Sequence, residues 1–174
     1  MGGVAEGVTA REIITVWDPK AAILRRRAAP VGKVTREIQR LIETMLSTLG
    51  AANGLGLAAP QIGEGVRVIV AQVEDRTVAL ADPEVIRSCG EETAAEACLS
   101  IPGMYGDVPR AAAISVRGKN RRGRRITIEA TGLLARVLQH EVDHLDGILF
   151  LDRVRDLSTI GSVTVPGEAA PAAE

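Results

Sequence analysis

Both histidines of this 174-residue chain stand in one short stretch, Gln139-His140-Glu141-Val142-Asp143-His144-Leu145. It ends the apolar run Gly132-Leu133-Leu134-Ala135-Arg136-Val137-Leu138, and together they read as a helix over about Gly132 to Leu145. An α-helix turns once in about 3.6 residues, so positions four apart return to nearly the same face. His140 and His144 are therefore stacked neighbours able to share one cation. Glu141 sits one residue further round, within reach of a water on that cation but not placed to be a third ligand. Histidine, glutamate and histidine in this H-E-x-x-H order point to metal-assisted hydrolysis with the glutamate as general base. A catalytic site of this kind normally takes three protein ligands and keeps one position for water. The best candidate for the third is Cys98, in Glu96-Ala97-Cys98-Leu99-Ser100. A thiolate is a strong ligand for a borderline divalent ion and is deprotonated by binding. Cys89 has no comparable setting and reads as structural or free.

The scaffold that must hold these groups is a soluble globular one. The chain is 46% hydrophobic and 25% charged, ordinary for such a protein. Its length suits one domain with a core that needs no staples. Aromatics make up only 2%, so Leu, Ile, Val and Ala must fill that core. A net charge of -1 gives no global attraction to nucleic acid or to an anionic membrane. No secretory signal and no membrane-spanning run is visible, so a cytoplasmic location is expected. Two cysteines there suggest a ligand or a free thiol before a disulfide.

Along the chain, residues 1 to about 20 look loose, with Gly2, Gly3, Gly7 and Asp18-Pro19 as breakers. Thr35 to Leu49 predicts an amphipathic helix with the stripe Ile38, Leu41, Ile42, Met45, Leu46, Leu49, a Thr35 N-cap and a Gly50 stop. Val66 to Val73, about Thr77 to Leu80, Ala113 to Arg117 and Arg125 to Glu129 read as strands. The last two flank a basic hairpin loop, Gly118 to Arg124. The expected organisation is one catalytic domain over 1–157 and a disordered tail over 158–174.

Three segments in order, Gly54-Leu55-Gly56-Leu57-Ala58-Ala59-Pro60-Gln61, Glu96-Ala97-Cys98-Leu99-Ser100 and His140-Glu141-Val142-Asp143-His144, resemble the three motifs of the peptide deformylases. The text between them agrees, and the resemblance covers roughly residues 23 to 155. It implies an α+β fold, with small antiparallel sheets packed around a central metal-binding helix and a second amphipathic helix near the N-terminus. It implies removal of the formyl group from formyl-methionine at the N-terminus of nascent chains. Cys98, His140 and His144 would then be the metal ligands and Glu141 the acid/base. The Gln61 side-chain amide and the Leu99 backbone N–H would donate to the developing oxyanion. One divalent metal is implied, ferrous iron in cells, with nickel, cobalt or zinc able to substitute. Association with ribosomes is a further implied partner.

Formyl hydrolysis also accounts for other residues. Gly54 and Gly56 allow close backbone approach, and a strand edge there could pair with an extended peptide. Leu55, Leu133 and Val137 are expected walls of a methionine pocket, since Leu133, Val137, His140 and His144 share one helical face. Arg110 is expected to pair with Glu96 or Asp143 and orient the site. The second motif departs from the family, which usually has Gly at the place of Ala97. If that place needs positive φ, a methyl group there costs something. The tail lacks the basic helix that some members use on ribosomes. The loop Lys119 to Arg125 reads as a solvated tip, with RNA or phosphate contact as the alternative. Two other readings stay open: a zincin-type endopeptidase, and a degenerate paralogue that binds metal and peptide N-termini or ribosomes without catalysis.

Overall fold

Val68-Ile69-Val70-Ala71-Gln72-Val73 is apolar with almost no alternation, and such a strand needs cover on both faces. The computed structural model, which describes residues 8–163, supplies it. Strand β2 (Val68–Val73) lies between β1 (Gly56–Ala58) and β3 (Arg76–Cys89), antiparallel to both. Successive side chains of a strand point to opposite faces. Val68 and Val70 accordingly pack with Ile42, Met45 and Leu49 of helix α1 (Arg36–Ala51). Ile69, Ala71 and Val73 pack on the other side with Leu134, Ala135 and Leu138 of helix α2 (Gly132–Leu145). The sheet is thus a filling between two helices. Leu138 is fully buried there, and truncating such a leucine to alanine costs about 2–5 kcal/mol.

Before β6 (Ala113–Lys119) and β7 (Arg125–Thr131) complete that sheet, the chain builds a second one from β4 (Glu92–Cys98) and β5 (Ile101–Arg110). The larger sheet has the order β1-β2-β3-β6-β7, and the smaller is β4-β5-β8, with β8 at Gly161–Ser162. All the strand pairs are antiparallel. The result is the expected α+β arrangement around α2. A third cluster of Leu24, Ile101, Val108, Leu149 and Phe150 closes behind the smaller sheet and takes in Cys98.

The boundaries differ from the sequence reading in instructive places. Thr35 does cap α1, accepting from the Ile38 N–H. The helix passes through Gly50, however, and is ended by Asn53, whose φ of 52° is left-handed. Gly54 N–H then reaches back to Leu49 O at 3.1 Å, which aims the first motif at the core. The tail expected from Ser158 onward does not begin there. Leu157–Thr159 forms a 3₁₀ turn, and β8 pairs with Met104 and Tyr105 because Gly161 lets the Tyr105 ring lie against its backbone. The rest of that expected tail, 164–174, lies outside the described residues, as does the first part of the loose N-terminus, 1–7. The remainder of the N-terminal stretch makes no regular element before residue 16 but is tied down. Ile14 is buried and donates its N–H to Gln61 O, and Val16 donates to Ser100 O. No helix among the described residues is long and apolar enough to cross a membrane.

Candidate metal centre

Helix α2 starts at Thr131-Gly132 and carries its apolar face into the core, which drives its C-terminal half to full burial. His140, Glu141, Asp143 and His144 go in with it. The two imidazole rings stand edge to face with centroids 4.9 Å apart. Cys98, the last residue of β4, meets them at a bulge in the β4–β5 ladder. Its Sγ lies 3.2 Å from His144 Nε2, and one donor atom from each of Cys98, His140 and His144 falls within 4.8 Å of the other two. Cys89, by contrast, is exposed at the end of β3.

Each imidazole has its own setting. His140 Nδ1 donates to Glu96 Oε2 at 2.9 Å, which fixes the tautomer and leaves Nε2 for the centre. Burial lowers the His144 pKa well below its ordinary value, so its ring stays neutral with a lone pair to give. A thiol and two imidazoles at this spacing are the donor set of a tetrahedral-type cation site. Beside it, Glu141 Oε2 is buried with no hydrogen-bond partner in the protein. An orphaned carboxylate oxygen is costly unless something polar completes it, and water on a bound cation is such a group. The residues present therefore fit a single metal ion.

Burial raises the Glu141 carboxyl to about 7, with His140 and Arg110 pulling the other way. A group titrating near neutrality can both take and return a proton. Gln61 is locked in a way its sequence position did not reveal. Its Oε1 accepts from Ala58 N–H at 2.8 Å, so the amide NH₂ must face Ser100 Oγ (3.1 Å) and Cys98 Sγ (3.7 Å). Leu99 follows Cys98 in the two-residue turn to β5, and its side chain touches the place a Gly54 Cβ would occupy.

These groups form the floor of a cavity of about 460 Å³, walled by Gly54, Leu55, Gly56, Leu99, Leu133 and Val137. Leu55 and Leu133 are 46% and 48% exposed, so apolar surface is left open at its mouth. Gly56 is needed here: a Cβ would stand 2.7 Å from Val137 Cγ1 and would strike the Glu141 carboxylate. The glycine thus makes room for the helix and its acid. A second cavity of about 250 Å³, by Asp82, Glu84, Arg117 and Lys119, contains none of the motif residues.

Behind the histidines, Arg110 joins both partners expected of it. Its guanidinium grips Glu96 with two bonds of 2.9 Å and reaches Asp143 at 2.5 Å. Burial alone would raise the Glu96 pKa, but Arg110 and His140 hold it down at about 2. Three residues of this shell have roles that the sequence did not mark, although Ser100 stands in the second motif. Arg136 donates to Glu96 at 2.9 Å, Arg153 donates to Asp143 at 2.7 Å, and Ser100 holds the Gln61 amide. Their partners lie 10 to 40 residues away in the chain, so only the fold shows the pairing. Ala97 sits on β4 without positive φ, since the non-glycine residues with positive φ are Asn53, Glu74 and Asp82. The methyl group there meets no backbone objection.

Residues 10–159 match the family model for polypeptide deformylase. The chain belongs to the polypeptide deformylase family. It is 46% identical to a peptide deformylase of Carboxydothermus hydrogenoformans, an alignment that covers 84% of this chain and 94% of the relative. It superposes on the crystal structure of the Thermotoga maritima peptide deformylase with a TM-score of 0.80 and 38% identity, over 85% of this chain and 99% of that one. A class I type b peptide deformylase from Acinetobacter baumannii, solved with Met-Ala-Ser bound, gives a TM-score of 0.79 at 30% identity, over 85% and 100%. The chain is accordingly an enzyme of the peptide deformylase type, a metal-dependent hydrolase, and the non-catalytic reading is not favoured.

Proposed function

We propose that this enzyme removes the N-formyl group from formyl-methionine at the start of newly made polypeptides, releasing formate, and that it works in the cytoplasm at or near ribosomes. The observation that carries the reading is the buried Cys98, His140 and His144 trio with the unpartnered Glu141 oxygen beside it, at the floor of an apolar cavity. Cys98, His140 and His144 would hold one divalent cation, ferrous iron in the cell. Such an ion supplies Lewis acidity and makes water nucleophilic at neutral pH.

The protein's own groups do the rest. Glu141 takes the proton of the attacking water and returns it to the leaving amine, a shuttle suited to a carboxyl titrating at about 7. Charge grows on the formyl oxygen in front of the Gln61 amide and the Leu99 backbone N–H. Donors fixed in place before the reaction stabilise that charge without reorganising. Leu55, Leu133 and Val137 take the methionine side chain. Gly56 opens β1, the end strand of its sheet, and Gly54 stands two residues before it, so the backbone there can be approached closely and an extended peptide can pair with that edge. The A. baumannii relative was solved with a peptide beginning in Met, Met-Ala-Ser, bound to it, which supports a ligand of that class.

The test is formate release from formyl-Met-Ala-Ser by protein loaded anaerobically with ferrous iron, or with nickel. Glu141→Ala is run beside it, and acetyl-Met-Ala-Ser is the control substrate. Release that falls about 100- to 10,000-fold in the variant is expected. Metal-filled protein that releases no formate would reject the reading.

A further inference from the structure

The hairpin between β6 and β7 packs back on the start of α1. Gln39 Nε2 donates to Arg121 O at 3.1 Å, the Arg121 guanidinium meets Glu43 at 2.5 Å, and Lys119 bonds Gly32 O and the Asp82 carboxylate, the latter at 2.9 Å. The two segments so joined, 32–43 and 119–125, carry eight basic residues (Lys33, Arg36, Arg40, Lys119, Arg121, Arg122, Arg124, Arg125) and two acidic ones (Glu37, Glu43). The chain holds 21 basic and 22 acidic residues in all, which leaves 13 against 20 elsewhere. These two segments thus carry a surplus of six positive charges, while the rest of the chain is net negative by seven.

Most of that charge is unspent. Lys33, Arg36, Arg40, Arg122, Arg124 and Arg125 are exposed, and none of them pairs with a carboxylate among the described residues. The loop that displays three of them is ordered: Asn120 Oδ1 accepts from the N–H groups of Arg122 and Arg124, and Gly123 turns the chain at a φ of 76°. The N-terminal end of α1, with its partial positive charge, adds to the field.

We propose that this surface binds the phosphate backbone of double-helical RNA. Arginine predominates, and its planar fork suits phosphate oxygens. Neither segment contains Phe, Tyr or Trp, so it lacks the aromatic platforms on which unpaired bases stack best. The loop, Asn120 to Arg124, has no apolar side chain to insert into a bilayer. What remains is sequence-independent contact with a regular array of phosphates. The geometry leaves catalysis free. Helix α1 runs its 16 residues, about 24 Å, from this surface to the turn at Asn53 that opens the cavity. An enzyme held to structured RNA here would keep its cavity open to newly made chains. That sense rests on the proposed substrate, but the RNA measurement does not.

The experiment is fluorescence anisotropy with the full chain and an RNA duplex of about 16 base pairs, with deformylation of a free formyl-peptide read in parallel. Six phosphate contacts would weaken binding up to about a thousandfold between about 50 and 200 mM salt. Charge reversal of the loop (Arg122→Glu, Arg124→Glu, Arg125→Glu) should cost at least about tenfold at the lower salt. It should also reduce the salt slope by about three, one per lost contact, while deformylation stays unchanged. A control pair elsewhere, Arg26→Glu with Arg87→Glu, should change binding far less. Should the loop variant also lose deformylation, Arg36→Glu with Arg40→Glu decides by the same readings. No duplex binding at low salt, equal loss in the control pair, or capture by anionic phosphatidylserine vesicles but not by RNA would overturn the proposal.

Discussion

The histidine pair has two unlike sides. Behind it, the groups are saturated: Glu96 takes hydrogen bonds from Arg110, Arg136 and His140, and Asp143 takes them from Arg110 and Arg153. In front, Glu141 Oε2 has no partner, the Gln61 amide faces the cavity, and the walls are apolar. The same helix supplies both sides, from residues one or two apart. Satisfied charges fix the His140 ring in place, whereas His144 Nδ1 has no partner among the described residues, and the unsatisfied Glu141 oxygen is kept available for reaction. The acids differ accordingly: Glu96 is held ionised at about 2 and Glu141 is raised by burial to about 7. Environment, not residue type, divides holding from proton transfer.

The contrast can be broken from either side. The largest effect on rate is expected in front. Gln61→Glu keeps an acceptor for the Ala58 N–H but removes the amide donor. Its turnover should fall about 100- to 1,000-fold, with metal content by atomic absorption unchanged. At the back, Glu96→Gln strands Arg110 and Arg136 without their shared counter-charge. Denaturant melts should show a loss of about 3–5 kcal/mol, and titration with nickel should show metal affinity lower by about 10- to 100-fold.

The same residue sharpens the contrast through pH. The Glu96 pKa is depressed in the folded protein, so its stabilisation is complete above its ordinary value near 4.5 and is lost as pH falls toward about 2. Acid melts of chelator-treated protein should slope over that window, and Glu96→Gln should flatten the slope. If the two melts run parallel, Glu96 is not the group holding the shell. A smaller effect is expected from Ser100→Ala, which frees one end of the Gln61 amide. Turnover should drop about three- to tenfold, the worth of one hydrogen bond, with KM unmoved. The smallest on rate belongs to Ala97→Gly: with ordinary strand backbone already in place, turnover should shift hardly at all, while stability should fall by about 0.5–1 kcal/mol from the added freedom of the unfolded chain.

The front was largely legible in the chain. The three motifs, the helix Gly132–Leu145 and the walls Leu133 and Val137 all had local marks; at the back, Arg110 was expected to meet Glu96 or Asp143 and meets both. What escaped was held by distant partners. Strand β4, Glu-Thr-Ala-Ala-Glu-Ala-Cys, has little β-branched or aromatic content, and β5 contains two prolines and two glycines. Neither would stand as a strand by propensity, and each exists because the other pairs with it, β5 having β8 on its far side as well. Arg136 reads as an ordinary polar interruption of an apolar helix until β4 and β5 bring Glu96 and the Val108 carbonyl to it. The stop of α1 was misplaced at Gly50 because Asn53 can also take the left-handed conformation.

The spacing of the three donors along the chain has one further consequence. Cys98 and His144 are separated by 46 residues, and the strap that holds Gln61 and Ser100 in register, Ile14 to Val16, stands N-terminal to both. A chain made from its N-terminus therefore has the scaffold for the oxyanion donors before it has the full donor set, which is complete only when His144 has been added. A truncated copy ending before residue 144 would emerge without the means to hold an ion.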